Sequence, residues 1–138
     1  MTDPEWASWS DPQLLALRLC DLKVSLSGSP LERLIKQVNA ELDERGLVQP
    51  QYYVSDEWFT PDGVAAIAVP FYLVHPRLAQ LEAAQMLEVE GGDDETCLRI
   101  LRYEAGHAID NAYDLRRYAL WRRLFGNPAA KYPNYYTP

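Results

Sequence analysis

The sequence predicts an α+β fold, and three stretches carry that expectation. Residues 29–45 and Asp94–Tyr113 repeat apolar side chains at three- and four-residue intervals, whereas residues 65–69 are apolar at every position. The first pattern puts one apolar stripe on a helix; the second suits a strand covered by helices. At 138 residues and 48% hydrophobic content the chain can bury a core without staples, so residues 1–138 are expected to form a single domain.

Residues 1–10 form a polar leader whose Trp6 and Trp9 are expected to lie against the body. Asp11-Pro12 starts a helix, because Asp accepts from free first-turn amides and Pro suits the first helical position. Leu14, Leu15, Leu17, Leu19 and Leu22 follow, with the helix fading near Asp21 and residues 22–26 alternating as a short strand. Ser29-Pro30-Leu31-Glu32 is a capping box, and Leu31, Leu34, Ile35, Val38 and Leu42 make a stripe that Gly46 closes.

Residues 51–55 read as a strand and 55–63 as an irregular loop ending in a turn. The apolar run at 65–69 meets Pro70, which has no N–H for a ladder, so this segment must be an edge or must leave the sheet there. His75-Pro76 opens a helix over residues 77–87, His75 being read as a turn residue at its start. An acidic turn at 88–94 follows, with Asp94 as the expected cap of Asp94–Tyr113. Residues 115–125 give another amphipathic helix stopped by Gly126-Asn127-Pro128, and 129–138 reads as an extended, tyrosine-rich strap.

Composition excludes several classes of function. The net charge of −7 argues against nucleic acid and against an anionic membrane surface, and Arg116, Arg117, Arg122 and Arg123 read as the solvated side of a helix. No run approaches the ~18 apolar residues of a membrane span, and the start has no signal-peptide pattern. Cys20 and Cys97 sit in apolar patterns and make no disulfide framework, so a reducing, cytoplasmic setting is expected. There is no phosphate loop, since Gly91-Gly92 lacks the following Lys. Asp56, Glu57, Glu82, Glu88 and Glu90 could supply a carboxylate pair, but the sequence brings no two together.

The chemistry concentrates at Tyr103-Glu104-Ala105-Gly106-His107 in the middle of the long helix. This spacing resembles the His-Glu-x-x-His helix of zinc metallopeptidases, where two imidazoles one turn apart hold the metal and the Glu is the base. Here Tyr103 stands at the first His. Tyr103, His107 and Asp110 share a face beside the apolar stripe, and ligation by these three would be an unusual set. The alternative is a structural His beside a carboxylate, with Tyr103 and His107 as packing residues.

Several stretches extend the likeness beyond the motif: LLALRLCDL, SDEWFTPDG, AIAVPFYLVHPRL, MLEVEGG, LRILRYEAGHAIDNAY, WRRLFG and YPNYY. Over residues 11–138 the chain resembles a bacterial family of zinc-binding metallopeptidases of the gluzincin-like type. The family motif is His-Glu-Ala-Gly-His. The resemblance implies a zincin-like fold: a small mixed sheet, a backing helix at 29–45 and an active-site helix at Asp94–Tyr113. It also implies Glu104 as catalytic base, His107 as a zinc ligand, Tyr103 at the position of the first ligand, and peptide or protein as substrate. The family's acidic third ligand falls past the equivalent of Pro138. The expectation is therefore a zinc metallopeptidase with an impaired site or, alternatively, a non-catalytic peptide- or protein-binding module presenting Trp58, Phe59, Tyr103 and the tail tyrosines.

Overall fold

The apolar run becomes a strand, β2 (Ala66–Pro70), in which all five residues are buried. It pairs in parallel with β1 (Gln51–Ser55), in register from Gln51 opposite Ala66 to Ser55 opposite Pro70. Parallel neighbours usually need a crossover of about a dozen residues or more, most often helical. Here residues 56–65 make the connection, and they lay Phe59 along the far side of β2 in an antiparallel bridge to Ala68. Ala68 N–H donates to the Phe59 carbonyl at 2.8 Å, and Phe59 N–H donates back at 3.4 Å. β2 is thus flanked on both sides, and the chain leaves the sheet at Pro70 into a 3-10 turn, Phe71–Leu73.

The computed structural model describes residues 3–126, which form a small mixed α+β protein with five α-helices and this two-stranded parallel sheet. The helices are α1 (Asp11–Leu15), α2 (Glu32–Glu44), α3 (Pro76–Met86), α4 (Asp94–Tyr113) and α5 (Ala119–Phe125). α4 packs on both α2 and β2, burying Cys97, Leu101, Ala105 and Ala108, while α2 contributes Leu34, Ile35, Val38 and Leu42. Arg102 clamps Glu41 across the two helices with N···O distances of 2.6 and 3.0 Å.

Several boundaries differ from the sequence expectation. α1 stops at Leu15, and the chain passes through a 3-10 turn, Leu19–Asp21, into residues 22–26, which form no strand. Among the described residues no neighbouring strand pairs with them. The Trp6 indole N–H instead donates to the Leu22 carbonyl at 3.0 Å, and Lys23 turns the chain at φ +51°. The capping residues at 28–32 also sit earlier than expected. Ser29 Oγ accepts from Leu31 N–H and the Glu32 carboxylate accepts from Gly28 N–H, so the box closes the turn ahead of α2.

On α4 the cap is Asp93, which accepts from Thr96 N–H at 2.8 Å, freeing Asp94 to pair with Arg33 at 2.5 Å. Asp114, left-handed at φ +50°, separates α4 from a 3-10 turn at Leu115–Arg117, so the expected helix over 115–125 is shortened to α5. The expected strap at 129–138 lies outside the described residues. Among the described residues no helix is long and apolar enough to cross a membrane.

Candidate functional site

Glu104 and His107 leave α4 one turn apart, next to the buried Ala105 and Ala108. Glu104 is 7% exposed and is the buried charged residue of the core among the described residues. A buried carboxylate requires a donor. Thr60 supplies it: its Oγ1 donates to Glu104 Oε2 at 2.5 Å and also lies 3.3 Å from the Glu104 carbonyl.

Asn111, about two turns further along α4, extends the attachment. Its Nδ2 donates to the carbonyls of Pro61 at 3.0 Å and Val64 at 2.9 Å. Residues 60–64 are therefore stitched along α4, and Phe59, just before them, is held against β2. Tyr53 of β1 meets the Phe59 ring edge-on, 6.0 Å between centroids, and both rings are more than a third exposed. Trp58 points the other way, with its indole N–H 3.5 Å from the Glu90 carbonyl.

Tyr103 and His107 meet on the outer side of α4. Their rings pack edge to face with centroids 4.9 Å apart and an interplanar angle of 85°. Tyr103 is 63% exposed and His107 half-buried. The structure thus joins Tyr103 to His107 and Glu104 to Thr60. Thr60 and Asn111 were not singled out from the sequence; they lie 44 and 47–50 residues from their partners, and no local pattern marks them.

A hydrolytic zinc ion takes three protein ligands and leaves one position for water. Among the described residues no group of three or more His, Cys, Asp or Glu side chains is placed to hold a metal ion. Among the described residues α4 offers the His107 imidazole, the Glu104 carboxylate already engaged by the Thr60 hydroxyl, and Asp110, and these do not come together as the three-ligand set of a hydrolytic zinc ion.

The other candidates have structural positions. His75 caps α3: Nδ1 accepts from Arg77 N–H at 3.0 Å, Nε2 lies 3.0 Å from Asp3 Oδ1, and the ring sits edge-on to Trp6 at 5.0 Å. Burial pushes the Cys97 thiol up to about 11, against nucleophilic use, while Cys20 is exposed. Burial also pushes the Tyr72 phenol up to about 12, assisted by the charges of Glu90, Glu82 and Glu57. A surface hollow between the N-terminal segment, residues 22–30 and the start of α3, and a smaller one along residues 28–36, are lined by neither Glu104 nor His107. No protein-family model, curated protein or solved structure matches the chain.

Proposed function

We propose that this chain is a metallopeptidase-type domain, zincin-like in fold, whose hydrolytic metal site is disabled at Tyr103 while Glu104 and His107 are retained. The observation that carries the reading is the pairing on α4: an imidazole one turn from a carboxylate, with the carboxylate's orientation fixed by Thr60 from the segment flanking β2. A general base needs a held carboxylate within reach of the proton it takes, and Thr60 occupies only one oxygen of Glu104. What supports the scaffold reading is coarser: a two-stranded parallel sheet with an isolated antiparallel bridge at Phe59, and α4 packed between β2 and α2.

Tyr103 is a poor substitute for an imidazole. A phenol ordinarily keeps its proton to about pH 10, and here the ring lies edge-on against His107 rather than beside it as a second donor. The test is divalent-metal binding by the unaltered protein and by Tyr103→His, read by cobalt absorption and by zinc content after gel filtration. The variant should bind at least about tenfold more tightly, because it adds a second imidazole one helical turn away. Equal affinity in the two proteins would refute the reading.

A second reading, a non-catalytic peptide-binding module, is favoured by the exposed rings of Tyr53, Phe59 and Tyr103. Peptide binding that persists after chelation and in Glu104→Gln supports it; binding lost on chelation counts against it.

A further inference from the structure

One surface hollow takes no part in the α4 site. It encloses about 630 Å³ between the N-terminal segment, residues 22–30 and the start of α3. Small-molecule sites fall in a range of roughly 300–1,000 Å³ and combine mostly apolar walls with a few placed polar groups. This hollow falls within that size range and mixes apolar walls with nearly as much polar surface. Trp6, Leu22 and Val74 are buried apolar walls, and Pro4, Pro30 and Pro76 line it with side chains whose backbone is fixed in advance.

Its polar groups fall into two sets. The first is already satisfied: the Trp6 indole N–H donates to the Leu22 carbonyl, and both ring nitrogens of His75 are engaged, by Arg77 N–H and by Asp3. Because Nδ1 accepts, the neutral ring carries its proton on Nε2 and donates it to the Asp3 carboxylate. Asp3, the acidic residue of the lining, has one carboxylate oxygen on the His75 ring.

The second set is uncommitted and consists of donors. Lys23 takes part in no ion pair among the described residues, whereas the nearby cations Arg33 and Lys36 are held by Asp94 and Glu32. Ser25 Oγ accepts from Ser27 N–H, which leaves its own O–H to give, and the Ser27 hydroxyl lines the same lip. Lys23 is moreover held at φ +51°, a left-handed backbone that a non-glycine residue adopts at a cost, beside this opening.

We infer that this hollow binds a small monocarboxylate with an apolar body. The carboxylate sits at Lys23, Ser25 and Ser27, and the body lies on Trp6, Leu22 and Val74. The exposed Lys23 ammonium attracts an anionic head, adds nothing for a neutral one and repels a cationic one.

The test is an amide-resolved NMR titration of the full chain with phenylacetate, with phenylacetamide and phenethylammonium as neutral and cationic counterparts. Phenylacetate should give saturable shifts at the Trp6 indole N–H and at the amides of residues 22–29 and 74–75, and it should bind more tightly than the amide and the amine. Lys23→Gln, at an exposed position, should weaken phenylacetate about three- to tenfold while leaving the amide unchanged. Ser27→Ala should weaken it in the same sense. No saturable shift up to about 10 mM, at which even a millimolar site would be largely filled, overturns the inference. So does an amide that binds as tightly as the acid, an unchanged affinity in Lys23→Gln, or shifts confined to α4.

Discussion

Replacing Thr60 by Val removes one hydroxyl and little volume, so it isolates the hydrogen bond that holds Glu104. Glu104 is 7% exposed and its Oε2 lies 2.5 Å from Thr60 Oγ1, which makes this a charge-assisted bond in a mostly dry place. Hydrogen bonds to charged groups contribute roughly 1.5–3 kcal/mol, and a buried carboxylate left short of a donor keeps its desolvation penalty. The expected loss is therefore about 1.5–3 kcal/mol, a fall in Tm of roughly 5–10 °C for a domain of this length. Urea denaturation with an unchanged m-value is the assay, because it separates lost stability from a changed unfolded state. Glu104→Gln keeps a carbonyl acceptor without the charge, so Thr60→Val should cost less in that background, by about 1 kcal/mol of coupling. A Thr60→Val protein within about 0.5 kcal/mol of the parent, or an equal loss in both backgrounds, would show that the contact does not hold the carboxylate.

Three further outcomes are expected. His75→Ala removes the α3 cap, the Asp3 contact and the ring edge on Trp6, and should cost about 1–2 kcal/mol in thermal denaturation; His75→Asn, which can still cap, should recover part of this, and an unaltered Ala variant would refute the assignment. Stability should fall as pH rises above about 9, because the Cys97 thiol stays protonated in the fold up to about 11 while the unfolded chain ionises near its ordinary value. Tyr52 and Tyr72, each pushed up to about 12 chiefly by burial, continue the decline from about pH 10 upward. Cys97→Ala should flatten the first part of that decline, and an unchanged slope there would exclude the thiol as its source. In native protein at pH 8, iodoacetamide should modify the exposed Cys20 and spare the buried Cys97, read as a single adduct by mass spectrometry; two adducts before unfolding would contradict the burial.

The sequence by itself determined what depends on neighbours a few residues apart. The stripes of α2 and α4, the burial of residues 66–69, the departure from the sheet at Pro70 and the capping position of His75 all follow from local periodicity or from the chemistry of one residue. The spacing also placed Tyr103 and His107 together, since four residues make about one helical turn. Where the reading failed, the deciding partner lay far along the chain. Residues 22–26 alternate like a strand, but a strand exists only if another lies beside it, and Trp6 and Lys23 lead them elsewhere. Only the tertiary structure turned Glu104 toward Thr60, set Phe59 against Ala68 on the far side of β2, and placed Lys23 at the edge of a hollow. Helical spacing fixes the face on which a side chain emerges; what that face meets is decided by packing between segments that are not neighbours in sequence, 44 residues apart for Thr60 and Glu104, which no local pattern encodes.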